Sequence, residues 1–490
     1  MKIKWIIFMA LVGFTIEESH AETILNQDSI YVYSHPSFKK KHPWKAAFET
    51  VGMNVGVWAF DRFVMNEDFA KISFKSVGDN ITNGFVWDND QFSTNLFAHP
   101  YHGSLYFNSA RTNGLNFWES APYAFGGSLM WEFAAEVEPP AINDLLATTF
   151  GGIALGEMTF RLSSLVLDDS KRGFSRFSRE LLGTIICPVR GLNRMISGDM
   201  WKVKHSYYKY HDYQRLPVVF SLGVGNRYLA DNNHLFKGEH NPYIDFRLQY
   251  GDAFNTEETQ PYDYFTARAS FGLSKNQPLI SQINLLGKLW STTKTTSTGM
   301  EVLFGIFQHF NYHDSEEVID GSGRIPYKIS ETTSFGPGII YKFPKINDQV
   351  NFEQRLFLSG ILLGGSLTDY YHVIDRNYNM GSGYSIKNNT ILDFNKYGLF
   401  ALNVNLYHIF SWKGYDEDKL ETTDPLYLNA QGDKGNALLA IINPIIELNL
   451  NEHFRVNLEL SYYFRKTHYA LHEDVESKTF ETKLGLAYKF

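Results

Sequence analysis

The last eleven residues alternate strictly: Phe480, Thr482, Leu484, Leu486, Tyr488 and Phe490 fall on one face, and Glu481, Lys483, Gly485, Ala487 and Lys489 on the other. A period of two with one apolar and one polar face specifies an extended strand lying between two different solvents. Upstream, Phe454, Val456, Leu458, Leu460, Tyr462 and Phe464 face one way, while Arg455, Asn457, Glu459, Ser461 and Arg465 face the other. Ile244, Phe246, Leu248 and Tyr250 oppose Asp245, Arg247 and Gln249 in the same manner.

Alternating segments continue through the chain from about 216 onward. They begin with Val218, Phe220, Leu222 and Val224 and with 244–250, followed by 262–273, 282–290, 301–310, 333–343, 351–362, 382–394 and 398–410. Segments 437–450, 453–465 and 478–490 complete about twelve strands, an even number suited to an antiparallel closed barrel. Pro337 inside one strand marks an expected bulge or frayed end. Connections alternate between short, as at Asn449 to Glu452, and long and polar, as at 311–330 and 411–436. Glu353, Arg355, Glu447, Arg455 and Glu459 occupy the polar frame and cannot face hydrocarbon unpaired, so that frame lines a wet or polar-filled lumen. Aromatic residues at 16 %, with 39 Phe and 29 Tyr, supply the interfacial girdles such a barrel needs. A strand that ends on Phe490 resembles the terminal strand and targeting signal of bacterial outer-membrane β-barrels, which implies barrel-assembly machinery and outer-membrane lipid as partners.

The amino-terminus points to the same compartment. Lys2 and Lys4 precede an apolar run from Trp5 to Phe14, and Ser19-His20-Ala21 offers a cleavage site, so 1–21 reads as a removable signal peptide. The lone Cys187 is far from that site and excludes an internal disulfide. A net charge of −8 gives no footprint for nucleic acid. After an extension at 22–42, residues 43–205 form an expected helical subdomain and 206–490 the barrel. Helices are expected at about 43–65, 120–137, 141–167 and 174–186, with Pro139-Pro140 and Pro188 as stops and 78–116 irregular. The fold expected is thus mainly β with an α-helical N-terminal part: an antiparallel transmembrane barrel of about 12 strands plus a helical plug or periplasmic subdomain.

Polar residues concentrate in His99-Pro-Tyr-His102-Gly-Ser104, Asn108 and Arg111, then Ser128, Glu132 and Glu136, then Asp144, and finally Gly152, Gly156, Glu157 and Arg161. Here, over about 90–200, the chain resembles a family of bacterial outer-membrane proteins defined by the domain of unknown function DUF3943. The resemblance implies an envelope location and brings no reaction or catalytic residue with it. From the residues alone, Ser128, Glu132 and Glu136 share a helical face, with Arg111 as the expected cationic partner, and Glu157 can pair with Arg161 one turn on. Gly152 and Gly156 form a small-xxx-small groove. These groups form either a buried network that locks helices together or a ligand site built on His99, Arg111, Ser128, Glu136, Asp144, Glu157 and Arg161.

The alternative is an envelope-lipid hydrolase with His102 as base, Ser104 as nucleophile and Glu132 as orienting carboxylate. The string His102-Gly-Ser104 with Asn108 is similar to the His/Ser/Asn set of outer-membrane phospholipases, although the Asn spacing differs and the residues precede the barrel. No His-Glu-x-x-His string is present, and no metal or cofactor is expected. Lys171, Arg172, Arg176 and Arg179 form a basic patch, read as a solvated helix face or a contact for anionic head groups. The leading expectation is a non-enzymatic outer-membrane barrel that binds or transports a small or lipidic ligand past a helical plug. A structural or assembly role in the envelope is the third.

Overall fold

Twelve strands close on themselves: β1 (Val218–Asp231), β2 (His234–Tyr250), β3 (Phe265–Gly272), β4 (Ile280–Thr295), β5 (Glu301–Asp314), β6 (Lys328–Lys342), β7 (Asn351–Leu367), β8 (Tyr378–Asp393), β9 (Gly398–Ser411), β10 (Gly435–Asn449), β11 (Phe454–Tyr469) and β12 (Val475–Lys489). Each pairs antiparallel with its sequence neighbours, and β1 meets β12 through Ser221↔Lys489 to Leu229↔Glu481. At that seam Phe490 donates its N–H to the Phe220 carbonyl at 3.0 Å, and the two rings stack at 5.1 Å. The computed structural model describes residues 40–490 apart from 88–89, 204–216, 256–259, 347–348, 371–376, 415–417, 419–421 and 423–431. The expected signal peptide at 1–21, and all but the last three residues of the extension at 22–42, lie outside the described residues.

Which face is the lumen follows from bonds that cross it. Arg268 on β3 donates to Glu459 on β11 at 2.8 and 2.7 Å, though these strands stand four places apart around the wall. Arg247 on β2 reaches Glu447 on β10 at 2.8 Å and Glu459 at 3.1 Å, and Lys483 on β12 reaches Gln282 on β4 at 3.0 Å. The charged frame of the C-terminal strands therefore points inward, where each charge finds a counter-charge rather than hydrocarbon. Toward the rim opposite Phe490, Tyr327, Ile329, Tyr407, Ile409, Leu439 and Tyr463 fill the interior, with Tyr327 and Tyr463 stacked at 4.1 Å. Toward the Phe490 rim, Leu303, Phe307, Ile340 and Phe357 do the same. Inward residues such as Glu459, Glu481 and Lys483 are buried, so side chains fill the lumen at their level.

The outward face carries Leu356, Leu358, Ile442, Ile446, Leu484 and Leu486, each 40–55 % exposed. Pro337 keeps its place opposite Ile306, while the β6–β7 ladder skips from Phe335↔Gly360 to Gly338↔Phe357 around it. That gap is what a residue without an N–H imposes.

Among the described residues the helical part comprises α1 (Pro43–Phe60), α2 (Phe74–Asn83), α3 (His99–Thr112), α4 (Phe117–Ala134), α5 (Ile142–Leu146), α6 (Gly152–Val166), α7 (Gly173–Ile186) and α8 (Pro188–Ser197). Three π-helical turns, Asp61–Met65, Thr94–Ala98 and Ala147–Gly151, extend or join them. Residues 78–116, expected to be irregular, instead hold the end of α2, the second π turn and all of α3. Gly, Asn and His are poor helix formers, and here tertiary packing overrides propensity. Pro188 stops α7 and also begins α8, because a first-turn proline leaves no unsatisfied N–H.

The helices do not plug the barrel; they lie against its outer wall. On β5, Phe304, Phe310 and Tyr312 share the outward face, yet Phe304 is 42 % exposed while Phe310 and Tyr312 are 0 and 1 %. Phe310 and Tyr312 join one core with Tyr250, Phe265 and Leu285 of β2–β4, Leu363 of β7, Tyr378 and Met380 of β8, and Phe92, Leu96, Phe107, Phe117, Ile153 and Leu155 of the helical part. The covered band climbs from the Phe490 rim at β2 to the opposite rim at β8. Bulges at Lys288/Trp290, His309/Asn311, Glu331/Thr333 and Ile361/Gly364 cluster in it and re-aim side chains toward the helices. The plug expectation fails for a physical reason: the lumen is already filled by its own counter-charges.

Candidate functional site

Where α3 crosses α6 the backbones almost touch. A Cβ on Gly103 would sit 1.7 Å from the Thr148 carbonyl oxygen, and one on Gly152 would sit 2.5 Å from the Gly103 carbonyl carbon. Gly156 likewise faces the Phe107 ring, so the Gly152/Gly156 groove receives α3. Only glycine permits this approach, and the approach brings the polar residues of both helices into one dry interior.

At its centre Glu157, fully buried, accepts from Arg111 Nε at 2.6 Å, Arg111 Nη2 at 3.0 Å and Arg161 Nε at 2.8 Å. Arg111 Nη1 donates to the Leu115 carbonyl at 2.7 Å, and its guanidinium lies 4.4 Å above the Phe160 ring. Arg161 Nη2 extends the network to the barrel, donating to the Pro261 carbonyl at 2.6 Å. Burial opposes ionisation of Glu157, but the two guanidiniums more than offset it and hold the carboxyl below its usual range. Arg111 thus pairs with Glu157, 46 residues away, and not with the helical face of Ser128, Glu132 and Glu136 expected from spacing.

That face is itself broken. Ser128 and Glu132 are buried on α4, but the helix ends at Ala134, and the Glu136 carbonyl accepts from Asn80 Nδ2 at 3.0 Å. Glu132 accepts from the Ala141 N–H at 2.7 Å, capping the entry to α5 just after Pro139-Pro140. Asp144 accepts from Asn143 at 2.7 Å, and its carboxylate stands 3.5 Å from His99 Nε2.

The three groups expected to form a hydrolase centre are not brought together. Ser104 Oγ donates to the Tyr101 carbonyl at 2.6 Å within its own helix. His102 Nε2 lies 2.8 Å from Tyr106 OH, and its ring packs edge-on to Trp131 at 4.8 Å. Burial, with His99 nearby, pushes the His102 imidazole down to about 3, so it is neutral at pH 7. Tyr106 OH in turn bonds to Asn54, which donates to the Gly127 carbonyl at 3.0 Å. This chain of bonds ties α1, α3 and α4 together. No group of three or more His, Cys, Asp or Glu among the described residues is placed to hold a metal ion.

A second charged knot lay hidden in the expected basic patch. Arg176 is buried 2.9 Å from Glu180, and Arg194 donates to Glu180 at 2.9 and 2.7 Å and to Asp169 at 2.5 Å. Arg190 donates to the Phe160 carbonyl at 3.0 Å and to Ser163 Oγ at 2.9 Å. The i,i+4 spacing of Arg176 and Glu180 was the available signal. Lys171 and Arg172 remain exposed.

The docking of helices on wall includes polar contacts that hydrocarbon would not tolerate, among them Tyr378 OH, which accepts from Asn95 Nδ2 at 2.7 Å, and Gln308. Gln308 faces outward on β5 beneath the π turn Ala147–Gly151. Its Nε2 donates to the Phe150 carbonyl at 3.0 Å, and its Oε1 accepts from Tyr262 OH at 3.0 Å. Both ends of the amide are thereby satisfied by protein.

A search of curated proteins finds no match. Among solved structures the chain is similar to the NanC porin, at 11 % identity and TM-score 0.28, over 56 % of this chain and 100 % of that one. It is also similar to the outer membrane channel DcaP of Acinetobacter baumannii (10 %, TM-score 0.22, 56 % and 97 %). The toluene transporter TodX of Pseudomonas putida gives 7 %, TM-score 0.22, 56 % and 89 %. The barrel itself is established by this chain's own closed strand pairing. Residues 84–189 match the domain of unknown function DUF3943, and this stretch, which runs from the end of α2 into α8 and contains the Arg111–Glu157–Arg161 network, is the DUF3943 domain of the chain.

Proposed function

We propose that this is an integral outer-membrane protein with a sealed barrel, acting without catalysis through the DUF3943 domain mounted on its wall, and engaging a lipidic rather than an aqueous ligand. One observation carries the reading. The lumen is occupied by paired charges and packed aromatics, whereas the polar helical interior lies beside the lipid-facing wall. An aqueous solute has no route through such a barrel, and a ligand that reaches the helices comes from the side. The apolar outward band of β7, β10 and β12 supports the membrane location. The hydrolase reading is not adopted, because Ser104 and His102 bond to other partners.

Planar-bilayer recording of the intact protein tests this. Preparations whose heat-modifiable migration proves a folded barrel are expected to give no unit conductance steps. Stable porin-like steps from such preparations would overturn the sealed-lumen reading.

A further inference from the structure

The helical domain has its polarity reversed. Its interior holds Arg111, Glu157, Arg161, Glu180 and Arg194, each no more than 8 % exposed. Its outer face holds Trp44, Phe48, Val51 and Val55 on α1, at spacings of four, three and four, with Trp44 and Phe48 more than 70 % exposed. On α7, Phe174, Phe177, Leu181 and Ile185 form a second stripe, 48–78 % exposed. A domain surrounded by water places these two classes the other way round. Exposed apolar area on this scale marks an interaction surface.

We infer that the acyl chains of the surrounding bilayer cover this outer face, so that the helical domain lies in the membrane plane beside the barrel. The inference rests on the reading of the barrel as membrane-integral. Continuity with the wall identifies the occupant. The helices cover Phe310, Leu285 and Leu363, and the same faces of the same strands carry Phe304, Trp290 and Leu358 bare just beyond the helices' edge. The domain therefore lies against the apolar belt itself, and the acyl chains that wet the belt reach its outer stripes. Charge marks the border: exposed Lys171 and Arg172 stand three and two residues before Phe174, where cationic side chains meet anionic lipid head groups while the ring enters the apolar layer. Among the described residues no helix is long and apolar enough to cross a membrane. Reversed polarity accounts for that, since each helix turns a polar side toward its neighbours and only a stripe toward lipid.

The test is collision accessibility of nitroxide labels on the full chain in phosphatidylcholine–phosphatidylglycerol vesicles, in a Cys187→Ala background. Labels at Phe48→Cys, Val55→Cys and Phe177→Cys are compared with Leu484→Cys on the bare wall and with Glu452→Cys, in the exposed turn between β10 and β11, as a water reference. The expected result is an oxygen-over-nickel-chelate accessibility at the three helix sites equal to that at Leu484, with Glu452 reversed. Labels at the helix sites that collide with the nickel chelate while Leu484 does not would overturn the inference and leave the barrel reading standing. Labels reached by neither quencher would overturn it in favour of a protein cover, either a second copy or a partner. If Leu484 itself collides with the nickel chelate, the membrane reading fails together with the inference.

Discussion

Removing one guanidinium from the buried triad tests whether that network is what holds the helical domain together. Arg111→Ala deletes two charge-assisted bonds to Glu157, at 2.6 and 3.0 Å, one to the Leu115 carbonyl, and a cation–ring contact with Phe160. Glu157 stays fully buried with Arg161 as its remaining cation. Breaking a buried pair from one side costs about 3–5 kcal/mol, and the surviving Arg161 places this case at about 3. That corresponds to roughly a hundredfold rise in local opening of the domain. Glu157→Gln leaves two guanidiniums facing a neutral amide and belongs at the upper end of the range, while Arg111→Lys, which keeps charge but loses the fork, falls between. The assay is limited proteolysis in detergent across a temperature ramp, read beside the heat-modifiable migration of the barrel. The helical domain of Arg111→Ala is expected to be cut at lower temperature than wild type while barrel migration is unchanged. Identical cleavage profiles for Arg111→Ala and wild type would refute the reasoning, because they would mean that desolvation and attraction cancel at this site even with one partner gone.

Gly103→Ala drives a methyl into the Thr148 carbonyl, where only backbone can yield, and is expected to cost about 3 kcal/mol and to loosen α3 from α6 in the same assay. Gln308→Leu leaves the Phe150 carbonyl and Tyr262 hydroxyl without their partner beneath the helices; a loss of about 1–3 kcal/mol should show as earlier release of the helical domain from an intact barrel. Wild type, His102→Ala and Ser104→Ala are expected to leave labelled phospholipid equally intact; hydrolysis by wild type that both substitutions abolish would restore the hydrolase reading.

The barrel was readable because most of its wall separates two solvents. On β11 and β12 nothing but lipid and lumen competes for the side chains, so alternation survives to the last residue. On β5 to β7 the outward face passes from lipid to protein part-way along, and there Gln308, Thr332 and Thr333 break the pattern. The segment read as 301–310 in fact continues to Asp314, and 351–362 continues to Leu367. The helices α2 and α3 were hidden by Gly, Asn and His, whose weak propensity is overruled by a contact 45 residues away, from Gly103 to Thr148. Glu157–Arg161 is a one-turn neighbour and can be read from spacing, but Arg111–Glu157 depends on how two helices cross. Nor does alternation in a strand say on which side of it a separate bundle will lie. A hint was present in α1, where Thr50 and Asn54 share a buried face and Trp44 and Phe48 do not.

With the bundle seated over β2 to β8, the cylinder has a back and a front. Two copies whose naked rungs met on the arc from β9 through β12, away from the helices, would stand spine to spine, each holding its helical flank to the far side. Such a pair is two-fold and self-limiting, because every further copy finds the rungs already taken.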